Sequence, residues 1–136
     1  MAASTGYQVT VIDPRAIFAH PERFPEIELV HAWPQDIFPK LKIDSQTAIV
    51  TLTHDPKIDD AALHHVLPAT PFYIACLGSR KTHDARCKRL LAAGFSPSQI
   101  AQISGPAGFD IGAETPSEIA VSVLSEMIAA FRKGME

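Results

Sequence analysis

The run Phe72-Tyr73-Ile74-Ala75-Cys76-Leu77, closed by Gly78, constrains this chain more than any other segment. It has the length of a strand and no polar alternation, so both of its faces must be covered. Thr47-Ala48-Ile49-Val50-Thr51-Leu52-Thr53 has the same apolar character with more β-branching. Strands of this kind belong to parallel sheets, where crossover helices supply the cover. Tyr7-Gln8-Val9-Thr10-Val11-Ile12-Asp13, stopped by Pro14, is a further strand, and Leu29-Val30-His31-Ala32 a shorter one.

Helical periods fill the intervals. Residues 59–67 set Ala62, Leu63, Val66 and Leu67 on one stripe. Residues 81–93 group Cys87, Leu90 and Leu91, with Gly94 placed to end the helix. Ser96-Pro97-Ser98-Gln99 and Thr115-Pro116-Ser117-Glu118 are capping boxes with proline at the first helical position. The second opens a long helix with Ile119, Val123, Met127 and Phe131 at i, i+4 spacing, flanked by Ala120, Leu124 and Ile128. That stripe is wide enough to cover a sheet. The alternation predicts an α/β fold on a mainly parallel sheet. Ligands in such folds sit outside the carboxyl ends of the strands, which here means residues 13–15, 54–55 and 78–83.

A chain of 136 residues with 46% hydrophobic and 20% charged content supports one domain, spanning 1–136, with a real core. A net charge of −3 offers no bulk attraction to nucleic acid. No apolar run approaches the roughly 20 residues of a membrane helix. The start, Met1-Ala2-Ala3-Ser4-Thr5-Gly6, has neither the basic nor the apolar stretch of a signal peptide. Cys76 and Cys87 are too few for a disulfide framework and lack metal-ligand spacing, so a reduced, cytoplasmic protein is expected. Adjacent His64 and His65 point about 100° apart on a helix, and no metal site is expected.

Several candidate sites carry two readings. Asp13 ends a strand as the ribose-binding acid of dinucleotide folds does, and it is also placed to cap the turn at Pro14. Gly78-Ser79-Arg80-Lys81-Thr82-His83 joins a buried strand to a helix. Free helix N–H groups with Ser, Thr, Arg and Lys suit an anion there, without P-loop spacing; the other reading is a turn whose polar residues cap the helix. Arg80, Lys81, Arg86, Lys88 and Arg89 form a solvated helix face or a surface for an acidic partner. His54 and Asp55 face the same crevice, either as an acid–base group or as a cap beside an incidental histidine. Cys76, inside its strand, reads as a small hydrophobe. The turn region 105–116, with Gly105, Gly108 and Gly112, either approaches a ligand or returns the last helix to the sheet.

Val9-Thr10-Val11-Ile12-Asp13-Pro14-Arg15, Thr51-Leu52-Thr53-His54-Asp55, Leu77-Gly78-Ser79-Arg80-Lys81-Thr82-His83 and Gly108-Phe109-Asp110-Ile111-Gly112-Ala113-Glu114-Thr115-Pro116-Ser117-Glu118-Ile119-Ala120 occur in that order along the chain. Together they resemble one family, the XdhC/CoxI-type accessory proteins of molybdenum hydroxylases, in its C-terminal, Rossmann-like domain and over nearly the whole chain. The resemblance implies a parallel sheet with helices on both faces. It also implies a chaperone-like protein that binds the molybdenum cofactor (molybdopterin), protects it during sulfuration and delivers it to a client such as xanthine dehydrogenase, with no turnover of its own. Cofactor-binding roles would fall on Asp13, Arg15, His54, Asp55, Gly78, Ser79, Arg80, Lys81, Thr82, His83, Gly108, Asp110, Gly112 and Thr115. A pterin with a phosphate tail suits the anion-friendly turn at 78–82.

The chain departs from the family pattern at its start. The family's N-terminal domain, which carries a cysteine associated with cofactor handling, is not found within these 136 residues, nor are the first strand and Gly-rich turn expected before Tyr7. Residues 2–6 look like the tail of the first Rossmann helix, with Gly6 as its cap. Without G-x-G-x-x-G a pyrophosphate has no visible cradle, which disfavours NAD(P). In the order 3-2-1-4-5 the missing strand is central, so its neighbours either pair directly or leave an open apolar edge. An open edge predicts a homodimer or strand exchange. The competing expectations are an NAD(P)-linked oxidoreductase using Asp13 with His54 or His83, and an interaction module docked by its sheet edge.

Overall fold

In the computed structural model, which describes residues 1–15, 27–53 and 55–134, the chain divides into two compact units, Met1–Lys42 and Ile43–Glu136. In the first unit β1 (Thr10–Ile12) pairs in parallel with β2 (Glu28–Val30), with Val11 opposite Leu29. A single 3-10 turn, Ala3–Thr5, precedes β1 and ends on Gly6 at φ +95°, the left-handed cap its position in the sequence predicts. After β2, Pro34 at the first helical position starts the one-turn helix α1 (Pro34–Ile37).

The second unit carries a three-stranded parallel sheet of β3 (Ala48–Thr51), β4 (Tyr73–Cys76) and β5 (Ile103–Ser104), in that spatial order. The central β4 sets Ile74 between Ile49 and Ile103, and every one of its residues is buried. Between β3 and β4 runs α2 (Pro56–Val66), which buries Ile58, Ala62, Leu63 and Val66 and starts where Asp55 accepts from the Lys57 N–H at 3.0 Å. Between β4 and β5 run α3 (Arg80–Ala92) and α4 (Pro97–Ile100), the latter with both halves of its capping box formed by Ser96 and Gln99. At α5 (Pro116–Gly134) Glu118 accepts from the N–H groups of Glu114 and Thr115, and its own N–H donates to Thr115 Oγ1. These are the parallel sheets and crossover helices of the α/β reading.

Three differences from the sequence reading have physical causes. The strands are shorter than their apolar runs, because a strand ends where its partner's ladder ends and not where hydrophobicity falls. Strand β5 has two residues and no run long enough to announce it. On α3 the residue that turns inward beside Leu90 is Arg86, at 2% exposure, while Leu91 is half exposed. The basic cluster is therefore not wholly a solvated face. Among the described residues β1 has a single strand neighbour, β2, and β3 a single one, β4.

Helix α5 is tied to the sheet by a carboxylate as well as by its apolar stripe. Glu126 Oε1 accepts from the Tyr73 hydroxyl of β4 at 2.6 Å, from the Ser104 hydroxyl of β5, and from the Gly108 N–H at 3.2 Å. Burial and the adjoining Glu126 carboxylate push the Tyr73 phenol far above its ordinary pKa, so it remains a donor at any accessible pH. Phe72, just before β4, meets Phe131 of α5 with the rings tilted by 60° and their centroids 5.2 Å apart. Replacing Glu126 with Ala leaves three donors short of an acceptor and should lower unfolding stability by about 2–3 kcal/mol, whereas Tyr73→Phe should cost about 1. Urea titrations of both variants check the ranking.

Candidate functional site

The carboxyl end of β4 is fixed by three backbone groups. The Leu77 N–H donates to Thr51 O and the Ala107 N–H to Cys76 O, both at 3.0 Å, and Leu77 O accepts from Arg86 Nη2 at 3.2 Å. The chain then turns through Gly78 at φ +138°, a backbone conformation that favours glycine, and enters α3. Ser79 accepts from the Thr82 N–H at 3.1 Å, which spends its side chain on the helix cap. The first-turn N–H groups of Arg80 and Lys81 have no intrahelical acceptor.

Arg86 organises the inner side of this turn. Its Nη1 donates to His83 Nδ1 at 3.2 Å, and its Nε has no partner among the described residues. Because arginine only donates, His83 Nδ1 is the acceptor and Nε2 carries the proton, facing Cys87 Sγ at 3.4 Å. Burial, then the Arg86 charge, holds the His83 pKa below its usual value, so the ring is neutral at pH 7. A side chain at Gly105 would run into the His83 ring, so the close approach of the 105–115 loop depends on glycine. Burial raises the pKa of both Cys76 and Cys87, and neither is an activated thiolate.

A cavity of about 280 Å³ opens between α2 and α3, lined by Asp59, Asp60, Lys81, Thr82, Arg86 and Arg89 and edged by Pro56 and Ala85. Arg89 pairs with Asp60 at 2.7 Å, and buried Asp59 accepts from the Thr53 hydroxyl at 2.6 Å.

Of the residues given cofactor-binding roles, Lys81 and Thr82 reach this cavity, as do Arg86 and Arg89 of the basic cluster. Asp55, Ser79 and Thr115 serve as helix caps, the Gly108 N–H is taken by Glu126, and Arg80, Asp110 and Gly112 are exposed. His54 lies outside the described residues. Asp13 and Arg15 belong to the first unit. There Arg15 grips both carboxylate oxygens of Asp13, through Nε at 2.9 Å and Nη2 at 2.8 Å, while its backbone N–H adds a third bond at 2.9 Å. Sequence reasoning read Arg86 only as part of a solvated basic face or a surface for an acidic partner, and it passed over Asp59 and Glu126. A signal existed for the first two: Arg86 precedes Leu90 by four residues and Asp59 precedes Leu63 by four, which puts each on a buried stripe.

A parallel sheet crossed by helices, with its polar groups gathered at the strand carboxyl ends, defines a Rossmann-type α/β protein. The XdhC Rossmann domain family matches residues 1–127, and the chain belongs to that family. It is 35% identical over 129 residues to a probable xanthine dehydrogenase subunit of Bacillus subtilis, covering 94% of this chain and 37% of that protein. It is 36% identical over 95 residues to the molybdenum cofactor insertion chaperone PaoD of Escherichia coli, covering 68% and 30% respectively. Its fold matches the crystal structure of a xanthine dehydrogenase from Bacillus halodurans with a TM-score of 0.82 and 28% identity, over 97% of this chain and 38% of that one. The chain thus spans well under half the length of each.

Gly105→Ala should destabilise the protein by about 2 kcal/mol, and adding His83→Ala should recover part of the loss; strict additivity in the double-mutant cycle would show that the two residues do not meet. Arg15, first by its hydrogen bonds and then by its charge, lowers the pKa of Asp13, so the pair stabilises above the unfolded value of about 3.9 and that stability is lost as pH falls through the lower folded value. Asp13→Asn should flatten the acid limb of the stability–pH curve and leave its alkaline limb unchanged.

Proposed function

We propose that this protein acts as an accessory factor in the maturation of a molybdenum hydroxylase, binding the molybdenum cofactor without turning over a substrate. The observation that carries this reading is its likeness to the molybdenum cofactor insertion chaperone PaoD within the XdhC Rossmann domain family. The donor set fits a phosphate-bearing pterin: Gly78, Ser79, Arg80, Lys81 and Thr82 place free helix N–H groups and two cations at a strand's carboxyl end. The cofactor would bring the metal chemistry; the chain's part is to hold the tail at Arg80, Lys81 and Thr82, while Arg86 fixes the neutral His83 ring on the inner side of the turn. The client is a xanthine dehydrogenase-type enzyme, met in the cytoplasm, where Cys76 and Cys87 stay as free thiols.

The whole of residues 1–136 acts as one domain in this reading. Among the described residues β1 and β3 each keep an unpaired edge, which favours a second copy or an exchanged strand as partner and makes the working species a homodimer. A strictly monomeric protein at micromolar concentration in light scattering would remove that part. An NAD(P)-linked role has less support, since Asp13 is already gripped by Arg15.

Calorimetric titration with molybdopterin, NAD and NADP tests the reading. Molybdopterin alone should bind, and Arg80→Ala with Lys81→Ala should weaken it about tenfold or more, as loss of charge-assisted hydrogen bonds does. No molybdopterin binding, or unchanged affinity in the double variant, would overturn the reading or remove the turn from the site, respectively.

A further inference from the structure

The cavity between α2 and α3 holds an electrostatic imbalance that the fold itself leaves unanswered. Arg86 is 2% exposed, and a fully buried guanidinium is ordinarily paired with a carboxylate. Among the described residues it has a histidine nitrogen, a carbonyl oxygen and an Nε with nothing. The carboxylates on the facing wall are engaged elsewhere: Asp60 by Arg89, and Asp59 by the Thr53 hydroxyl. Lys81, on the same wall as Arg86, has no ion pair among the described residues. With the Arg89–Asp60 pair neutral, the lining sets Arg86 and Lys81 against Asp59, so the cavity carries excess positive charge in a partly desolvated space.

A helix start adds to this. Thr82 lines the cavity from the first turn of the thirteen-residue α3, its hydroxyl 3.0 Å from Ser79 Oγ, and the helix's positive dipole end lies at the same mouth. Cations, a hydroxyl and a helix N-terminus around about 280 Å³ suit a compact group with several acceptor oxygens and more than one negative charge. A planar carboxylate would satisfy fewer of these donors at once.

We propose that this cavity is a seat for a tetrahedral oxyanion, held by Lys81 and Thr82 and drawn by the buried charge of Arg86. The oxyanion is either the phosphate monoester of a larger ligand or a free ion such as phosphate or molybdate. The proposal rests on the cofactor-handling reading and deepens it, moving the anion from the open mouth of the turn at Gly78 to the space between the helices and making Arg86 a positioning residue for it.

The test is a titration of the isotopically labelled protein with inorganic phosphate in a non-phosphate buffer at low salt, followed by amide chemical shifts. Saturable shifts are expected at residues 56–60 and 81–89 with one site per chain. Thr82→Val and Lys81→Met should each weaken binding about fivefold to tenfold, in line with one hydrogen bond lost to a charged group. Arg86→Lys keeps the charge and should bind within about threefold of the parent, while Arg86→Gln should lose most of the affinity. Should Arg86→Gln fail to fold, the Lys81 and Thr82 variants, both at exposed or half-exposed positions, carry the test. Absence of saturable shifts at about 10 mM phosphate, or equal affinity in the Thr82 and Lys81 variants, overturns the proposal. Parallel titrations with molybdate and with a sugar phosphate separate the two sources: tighter molybdate binding assigns a free ion, tighter sugar phosphate binding a ligand's tail. Phosphate binding here together with no molybdopterin binding would leave this seat standing and remove the cofactor reading. Molybdopterin binding that excess phosphate does not compete would do the reverse.

Discussion

The bond from Arg86 to the carbonyl of Leu77 is the contact on which the carboxyl end of the sheet depends. Every residue of strand β4 is buried, so the carbonyls at its end must find partners inside the protein. Cys76 O is met by the backbone of the 105–115 loop, and Leu77 O by a guanidinium from α3. Placing that guanidinium carries a desolvation cost that hydrogen bonds to neutral groups only partly offset. The neighbouring groups take their order from it: Arg86 sets the tautomer of His83, His83 lies against Gly105, and Gly105 brings the loop within reach of β4.

From there the order passes to Glu126. One oxygen of this carboxylate gathers a phenol from β4, a hydroxyl from β5 and an amide from the loop, so the last helix, two strands and the loop share a single acceptor. The loop is therefore anchored at two points, by Gly105 against His83 and by Gly108 against Glu126. Its exposed residues, Phe109, Asp110, Ile111 and Gly112, stand on a held base. The family membership gives this architecture a context, and the cavity between α2 and α3 gives it a space whose described lining carries more positive than negative charge.

Much of the fold was legible because it is written in local chemistry. Ser96 with Gln99 and Thr115 with Glu118 are reciprocal caps that need only three residues of separation. Gly6 and Gly94 end their helices at positive φ, a preference that belongs to glycine itself. The site was less legible for the same reason. Of the residues the turn at 78–83 offered, Ser79 was consumed as a cap and His83 turned inward, because capping competes locally for the same groups that would bind a ligand. Arg86 was counted among solvated basic residues, since composition assigns arginine to the surface and only a position four residues before Leu90 hinted otherwise. Asp13 was read as an open carboxylate or a turn cap; the guanidinium two residues on closes it.

The sequence by itself determined the alternation of parallel strands and helices, the ends of the helices, and the family to which the chain belongs. These rest on periodicity, capping and short ordered blocks, all of which survive without knowledge of what lies opposite. Tertiary structure alone decided which charges are buried, which donors are already spent, and where space remains. Arg86 and Asp59 face one cavity from α3 and α2 because the β3-α2-β4 and β4-α3-α4-β5 crossovers bring the two helices side by side. No local pattern encodes that adjacency, since it arises from the pairing of β3 with β4 and of β4 with β5.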